Sequence, residues 1–379
     1  MRLLHVVPTY LPATRYGGPI YSVHGLCKAL AARGHEVHVF TTNVDGPGDS
    51  DVPLETPVAL DGVQVWYFPS RRLRRLYWSP PLGRALRRQV AGFDVVHLHS
   101  VFLWPTLAAA RAAERAGVPY LLAPRGMLVQ ALIARKSPRL KRAWLRLFER
   151  HTIEHAAAIH ITSPSEGEEL QRFGYRLPPL LEAPNGVEPP PEPEQPIPRD
   201  HHRLLFISRI HWKKGLDRLI PALAQVPDAR LTIAGNDEED YLPELRRLAE
   251  ASGVAARIDL RGPVAGGEKQ RLLRQAAALV LPSYSENFGN IVLEAMAEGC
   301  PVVVTPEVGV APVVAASGGG RVCAGEPAEL ARGLRELLAD GPGRREMGER
   351  GRAAVRRDFS WAAVAARMEE GYRGVMERA

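Results

Sequence analysis

The sequence has few cysteines and no long apolar run. Its 379 residues include three cysteines, Cys27, Cys300 and Cys323, whose spacing fits neither a metal site nor a complete set of disulfides. Such cysteine usage is typical of a reducing compartment. No apolar run approaches the roughly 18 residues of a membrane-spanning helix, and the apolar start is too short for a signal peptide. We therefore expect a cytoplasmic protein, either soluble or peripheral at the inner face of the plasma membrane.

A dinucleotide-binding glycine motif is also missing. No G-x-G-x-x-G string follows a predicted strand, which argues against a Rossmann oxidoreductase. Short apolar runs alternate with amphipathic helical patterns along the whole chain, which predicts an α/β protein. The length favours two domains, and the proline-rich stretch Pro189–Pro198 predicts a semi-rigid linker between them. We expect domains at 1–184 and 203–359, joined by a linker at 185–202.

Positive charge is concentrated in one part of the chain. The formal net charge is +7, but residues 71–150 carry 17 Lys and Arg against 3 Asp and Glu. Two clusters dominate, Arg71–Arg75 next to Tyr77 and Trp78, and Arg135–Arg146, which includes Trp144. Such an excess indicates an anionic partner. For the second cluster, a membrane surface and an ordinary packed surface helix remain equally open.

The stretch Ser283–Thr305 is the most informative part of the sequence. It follows an apolar strand pattern and reads as loop, helix and second strand, with Asn290 as the expected N-cap. This arrangement places the loop and the helix N-terminus at the carboxyl edge of a parallel sheet, where open α/β sheets bind ligands. Backbone N–H groups near Asn290 and Ile291 would favour a phosphate there. Glu286 and Glu294 flank this position and could accept hydrogen bonds from sugar hydroxyls.

Several strings in this region resemble one enzyme family. Glu286 and Glu294 form an E-x7-E signature, accompanied by the helix segment Leu293–Ala297 (LEAMA) and by a G-x-P-V-V string that starts at Gly299. Together they resemble the family-4 retaining glycosyltransferases. The string Pro124–Leu128 (PRGML) resembles a bacterial subgroup that builds surface polysaccharide.

The resemblance carries expectations about fold and reaction. It implies two Rossmann-like domains facing across a cleft (GT-B), with the last helix, 360–379, packing back on the N-terminal domain. It also implies retaining, metal-independent transfer from a UDP-, GDP- or ADP-sugar to a hydroxyl acceptor, without a required cofactor. The acceptor would be a lipid-linked or polysaccharide glycan.

The resemblance also assigns roles to individual residues. Arg209 and Lys214 would hold the diphosphate, and His99 would meet the donor sugar. Arg125 would lie on the acceptor side. The expected catalytic residues are His99, Glu286, Arg209 and Lys214. The expected donor-binding residues are Gly17, Gly18, Arg209, Lys214, Glu286, Phe288, Gly289, Asn290, Ile291 and Glu294, with Glu286 on the donor sugar and Glu294 on the ribose.

Two other functions fit parts of the sequence. A nucleotide-sugar epimerase on the same architecture would need no acceptor. A nucleic-acid-binding protein would explain the arginines, and its binding would fall steeply with salt. It would leave Glu286 and Glu294 unexplained, so we expect no nucleic-acid partner.

Overall fold

The computed structural model describes residues 1–14, 18–130, 133, 138–190, 198–237 and 239–378. The chain forms two compact units, Met1–Gly186 with Trp361–Ala379 as unit 1 and Val187–Ser360 as unit 2. Among the described residues, no helix is long and apolar enough to cross a bilayer.

Unit 1 contains an eight-stranded sheet and a separate two-stranded hairpin. Its strands are β1 (Arg2–Val6), β2 (Glu36–Thr42), β3 (Val44–Asp45), β4 (Gly48–Asp49), β5 (Pro57–Leu60), β6 (Val63–Phe68), β7 (Val95–His99), β8 (Tyr120–Ala123), β9 (Ala158–Ile161) and β10 (Leu180–Glu182). The large sheet has the order β10-β9-β8-β7-β1-β2-β6-β5. Its strands run parallel except for β5, which pairs antiparallel with β6. The sequence pattern did not predict the β3–β6 segment.

The helices of unit 1 include several that start at a proline or are followed by a glycine. They are α1 (Gly18–Ala32), α2 (Pro80–Gln89), α3 (Trp104–Ala116), α4 (Pro138–Trp144), α5 (Arg150–Glu154), α6 (Pro164–Gln171) and the C-terminal helix Trp361–Met376. Gly34 follows α1 with φ of 86°, and Gly117 ends α3 with φ of 67°. Both residues adopt the left-handed conformation in which glycine carries no steric penalty.

The C-terminal helix completes the core of unit 1. Met368, Tyr372 and Val375 are buried among residues of α1 and the sheet. At the start of the helix, the Trp361 indole lies between two glycines. A Cβ on Gly25 would be 2.3 Å from this ring, and one on Gly186 would be 2.4 Å from it. The helix therefore docks where both positions lack a side chain.

Unit 2 is a doubly wound sheet of parallel strands. They are β11 (Asp200–Ile207), β12 (Arg230–Ala234), β13 (Ile258–Arg261), β14 (Ala276–Leu281), β15 (Val302–Val304) and β16 (Gly320–Val322). The first of them begins three residues before the expected domain start at 203. Residues 191–197 of the predicted linker, 185–202, lie outside the described residues.

Helices cover the sheet of unit 2 on both faces, as is usual when a parallel sheet is buried on both sides. They are α7 (Leu216–Ala224), α8 (Leu242–Ala251), α9 (Gly266–Gln275), α10 (Asn290–Ala297), α11 (Ala311–Ser317), α12 (Pro327–Ala339) and α13 (Gly341–Ala354). The strand order is β13-β12-β11-β14-β15-β16. The winding direction reverses between β11 and β14, and ligands of such sheets bind beyond the carboxyl ends of the strands at this point.

The packing of Trp361 against Gly25 can be tested. We expect Gly25→Val to destabilise unit 1 by about 1–3 kcal/mol, because the added side chain must displace the rigid indole. Thermal unfolding of the purified full-length chain measures the effect. Gly48→Ala is the control, since its Cβ would have no neighbour nearer than 3.8 Å. A Gly25→Val protein that unfolds at the parent's temperature would contradict this packing.

Candidate functional site

The loops that follow β11 and β14 are in direct backbone contact at the switch point of unit 2. The N–H of Tyr284 donates to the carbonyl of Lys213 at 2.8 Å. Gly215 has φ of 71°, and a Cβ there would lie 1.9 Å from the carbonyl oxygen of Pro282. Glycine is required at this position because any side chain would separate the two loops.

The Glu286 loop is also fixed from its other side by the loop after β15. Glu286 N–H donates to the carbonyl of Glu307 at 3.1 Å, and Gly309 N–H donates to the carbonyl of Glu286 at 2.9 Å. Val310 N–H binds the carbonyl of Phe288 at 2.9 Å. These bonds hold the backbone of the Glu286 loop between two neighbouring strand ends.

The helix cap differs from the sequence-based prediction. Gly289, with φ of 97°, is the N-cap of α10, and Asn290 is its first residue. The prediction that Asn290 caps this helix was wrong, because the left-handed backbone that turns the loop into α10 favours glycine. Phe288 is buried in the core of unit 2, and Ile291 packs against that core. The side chains of these two predicted donor-binding residues therefore support the loop.

Lys214 and Glu286 form an ion pair across the switch point. Lys214 Nζ contacts Glu286 Oε2, and the side chains are only 10% and 21% exposed. Partial burial strengthens the mutual attraction of the two charges. It also makes loss of either partner costly, because the remaining charge would be poorly solvated. The pair thus holds one cation and one carboxylate at the carboxyl edge of the sheet.

Glu294 lies on α10, one turn beyond its start, and pairs with a residue that the sequence analysis missed. Lys269 Nζ of α9 lies 2.5 Å from Glu294 Oε2. This oxygen is buried, and the angles of the contact are not those of a hydrogen bond. The ion pair with Lys269 therefore orients the Glu294 carboxylate. Nothing in the sequence distinguishes Lys269 from other helical lysines.

Arg209 and a tyrosine-centred cluster complete this edge of the sheet. Arg209 is exposed just beyond the end of β11. Tyr284 donates its hydroxyl to Asp217 Oδ2 at 2.8 Å, and the Arg218 guanidinium lies 3.4 Å from the centre of the tyrosine ring. Tyr284, Asp217 and Arg218 were not predicted, because their contacts join loop and helix residues more than 60 positions apart.

In unit 1, a layer of buried histidines crosses the sheet at its own switch point, between β1 and β7. His5 lies on β1, His97 and His99 lie on β7, and His160 lies on β9. The rings of His97 and His99 are 4.2 Å apart, so the two residues share one face of the strand, as the alternation of side chains along a strand requires. All four are 2% exposed or less.

One branch of this layer runs from the C-terminal helix to a backbone carbonyl. Tyr372 donates its hydroxyl to His97 Nδ1 at 2.7 Å. His160 Nε2 must donate to the carbonyl of Ala183 at 2.8 Å, so its Nδ1 accepts from His97 Nε2 at 3.1 Å. Burial lowers the pKa of both rings, so each is neutral. Because a carbonyl can only accept, the proton of each neutral ring is then on Nε2.

The second branch begins at Arg125. Its Nη2 donates to His99 Nδ1 at 3.2 Å, so His99 carries its proton on Nε2 and donates to His5 Nδ1 at 3.0 Å. The other Arg125 terminal nitrogen donates to Asn185 Oδ1 at 2.8 Å. The sequence pattern does not indicate this contact, because Arg125 and Asn185 are 60 residues apart.

These contacts constrain what His99 can do. Both of its ring nitrogens already have partners, and the residue is 1% exposed, so a direct hydrogen bond to a sugar would require Arg125 or His5 to move. Ligand atoms of His5, His97 and His99 lie within 4.8 Å of one another. Their hydrogen bonds nevertheless use the lone pairs that a metal ion would need, and the Arg125 cation contacts His99.

Gly17 lies outside the described residues, and Gly18 is the first residue of α1. Unit 1 also contains a D-x-D string, Asp49-Ser50-Asp51. Asp49 ends the exposed β3–β4 hairpin and pairs with Arg74 at 2.6 Å.

Family models match both halves of the chain. The model described as "Glycosyl transferase 4-like domain" matches residues 17–186, and the model "Glycosyl transferases group 1" matches residues 191–354. These two ranges cover most of the chain.

Individual proteins are similar to it over their full length. A D-inositol 3-phosphate glycosyltransferase of Xylanimonas cellulosilytica is 29% identical over all of this chain and 97% of its own length. The solved sucrose-phosphate synthase of Thermosynechococcus elongatus is 22% identical, with a TM-score of 0.76 over 100% of both chains. HepE of Anabaena, solved with UDP-glucose, is 20% identical, with a TM-score of 0.73 over 99% of this chain and 100% of its own. The structural similarities confirm the predicted fold class, two Rossmann-like α/β domains of the GT-B type.

The buried histidine layer predicts a loss of stability in acid. Burial lowers the pKa of His5 and of His160 to about 3 and lowers the pKa of His97 and His99. Between about pH 6.5 and pH 3 the unfolded chain binds protons that the folded chain excludes, so the free energy of unfolding falls as the pH decreases. Each histidine contributes at most about 1.4 kcal/mol per pH unit. Thermal unfolding at pH 7.5, 6.5 and 5.5 measures this slope.

A substitution in the layer distinguishes its contribution to the pH dependence of stability from that of other titrating groups. His160→Gln keeps a donor for the Ala183 carbonyl but removes one titrating group, so we expect a shallower slope than in the parent. His202→Gln, at an exposed position outside the layer, is the matched control. Equal stability of the parent at pH 7.5 and pH 5.5 would show that the layer does not titrate in this way.

Proposed function

Because the chain belongs to the family-4 glycosyltransferases, we propose that it transfers a sugar from a nucleoside diphosphate donor to a hydroxyl acceptor. The donor is a UDP-, GDP- or ADP-sugar, and the acceptor is a lipid-linked or polysaccharide glycan. The transfer retains the anomeric configuration and needs no metal ion. The complex of the similar HepE with UDP-glucose supports the donor class. The PRGML string supports the glycan acceptor.

The Lys214–Glu286 pair at the switch point is the observation that carries this proposal. A nucleoside diphosphate sugar presents negative charge on its phosphates and hydroxyls on its sugar. The cation and the carboxylate of the pair match these two parts in adjacent positions. Both side chains are partly buried, and their loops are fixed by backbone hydrogen bonds. Such groups need little reorganisation when charge develops.

The four charged residues of this edge have separate roles in the proposed reaction. Lys214 and Arg209 stabilise the diphosphate as the glycosidic bond breaks, which replaces the usual function of a metal ion. Glu286 accepts hydrogen bonds from the donor sugar once Lys214 turns to the phosphate. Glu294, oriented by Lys269, accepts from the ribose hydroxyls. In unit 1, His99 acts by holding Arg125 in place on the acceptor side.

Separate substitutions of the two glutamates test these roles. We expect Glu294→Gln to weaken nucleoside diphosphate binding about 10- to 150-fold, because a charged hydrogen bond contributes about 1.5–3 kcal/mol. Glu286→Gln should bind the free diphosphate at least as well as the parent, since Lys214 loses its competing carboxylate, while turnover falls. Calorimetry with UDP, GDP and ADP measures binding.

Release of the nucleoside diphosphate measures turnover and distinguishes transfer from epimerisation, which releases none. The exposed Glu370→Gln is the matched control. Turnover should also persist in EDTA, and NMR of the product should show the donor's anomeric configuration. The assignment is wrong if both glutamate variants bind and turn over like the parent.

We further propose that unit 1 binds an anionic membrane surface and so meets a lipid-linked acceptor. Leu73 is 64% exposed, and the neighbouring Arg71, Arg72 and Arg75 are exposed around it. Apolar tips surrounded by basic residues are typical of interfacial binding. Arg74 does not belong to this surface, since it binds Asp49 and the Ser70 carbonyl.

The second basic segment has a similar composition. Leu140 and Leu147 are 71% and 67% exposed, with Arg139, Arg142 and Arg146 exposed beside them. Trp144, which the sequence suggested as an interfacial residue, is half-buried and donates to Glu149 at 2.9 Å. Arg135 and Lys136 lie outside the described residues. In this proposed surface, Leu140 and Leu147 therefore provide the apolar contact with the membrane in place of Trp144.

A triple substitution tests the membrane proposal. Changing Arg71, Arg72 and Arg75 to Ser should weaken binding to anionic vesicles about 100-fold, because each basic residue near the surface contributes about 1 kcal/mol. Co-sedimentation with phosphatidylserine-containing and neutral vesicles measures binding. The control removes three exposed arginines of unit 2, Arg246, Arg247 and Arg271. Equal recovery on both vesicle types would disprove membrane binding without affecting the proposed transfer.

A further inference from the structure

A second polar groove lies at the amino edge of the sheet in unit 2, opposite the edge that carries Glu286. It has a volume of about 550 Å³ and is bordered by Ala277 and Pro301, next to the starts of β14 and β15. Its charged or titratable lining side chains are Arg199, His201, Arg344, Arg345, Glu349 and Arg352. Four guanidinium groups thus face one carboxylate.

Two of these arginines are oriented by neutral groups. Arg199 donates to the carbonyls of Ala276 at 3.0 Å and Gly299 at 2.7 Å. Arg344 donates to the carbonyl of Leu337 at 2.9 Å. Neither residue forms an ion pair with a carboxylate in the part of the chain that the structure describes. Carbonyl groups fix the guanidinium planes without cancelling their charge, so the groove keeps a positive potential.

His201 adds a neutral donor to the same wall. Arg344 Nη2 lies 3.1 Å from His201 Nδ1. Since a guanidinium can only donate, Nδ1 accepts and the proton of the neutral ring is on Nε2. Arg344 is only 8% exposed, and burial lowers its pKa. A bound anion would compensate for the cost of holding this cation away from water.

The spacing of α13 from the sheet is fixed by glycine. Arg344, Arg345, Gly348 and Arg352 follow helical spacing and so share one face of α13. A Cβ on Gly348 would lie 2.2 Å from the carbonyl oxygen of Gly299, so the helix approaches this turn as closely as backbone allows. Close packing at that point holds the arginine-bearing face at a defined distance from β14 and β15.

We propose that this groove binds a small, multiply charged phosphate compound, at a site separate from the one that holds the donor. Planar guanidinium groups match phosphate oxygens in paired hydrogen bonds. The volume exceeds that of a single phosphate ion and accommodates either pyrophosphate or a phosphorylated metabolite. Both ligands share the chemistry that the groove recognises.

Calorimetry with pyrophosphate and with a hexose bisphosphate, at constant ionic strength, tests this site. The measurements use full-length Lys214→Gln, in which the proposed diphosphate site is impaired, so that binding there does not obscure the groove. Adding Arg345→Gln and His201→Gln should weaken binding at least 10-fold. Both positions are exposed, and a glutamine at 201 can still accept from Arg344, so folding should be preserved.

Arg350→Gln is the matched control. It removes an arginine of the same helix that binds the Gly318 carbonyl outside the groove, and it should leave binding unchanged. If pyrophosphate binds more tightly, the groove recognises inorganic phosphate compounds. If the hexose bisphosphate binds more tightly, it recognises phosphorylated metabolites. The proposal fails if neither compound binds in the Lys214→Gln background. It also fails if the groove substitutions have no effect, or if Arg350→Gln weakens binding equally.

Discussion

The parallel strand order of unit 2 is the constraint on which its chemistry depends. When all strands run parallel, every connecting loop that follows a strand lies at the same edge of the sheet. The reversal between β11 and β14 separates the helices that follow these two strands and leaves room for a ligand. Lys214 and Glu286 come from positions 72 residues apart, yet this topology brings them into contact. A small shift of one loop would displace the other as well, because Gly215 and Gly309 allow the backbones of neighbouring loops to be in direct contact.

In unit 1 the main constraint is different, because four histidine rings are buried in the centre of the sheet. A buried histidine without partners would cost stability, and a charged one would cost more. The two hydrogen-bonded branches largely remove this cost by giving most ring nitrogens a donor or an acceptor. His5 Nε2 remains without a partner among the described residues. The branches also connect Arg125, at the carboxyl edge of the sheet, with the C-terminal helix through rings that are in contact.

Local patterns explain why part of this structure could be predicted. Gly34 and Gly117 end helices because of their backbone freedom, and this signal can be read from a few neighbouring residues. The placement of Glu286 and Glu294 beyond the end of one strand could be predicted for the same reason, since strand, loop and helix are contiguous around them. The partners Lys269 and Asn185 could not, because their contacts depend on how distant segments pack. Similarly, β5 and β6 are short. Their sequences do not differ clearly from those of loops, and they form strands because they pair with each other and with β2.

The helix α10 connects the two edges of the sheet in unit 2. Its first turn follows Gly289 at the edge that holds Glu286, and Glu294 lies on its second turn. Its other end is held by arginines, since Arg352 donates to the Glu298 carbonyl at 3.0 Å and Arg199 donates to the Gly299 carbonyl. Cations at a helix C-terminus interact favourably with the helix dipole. The arginines that line the amino-edge groove therefore also stabilise the helix that positions Glu294.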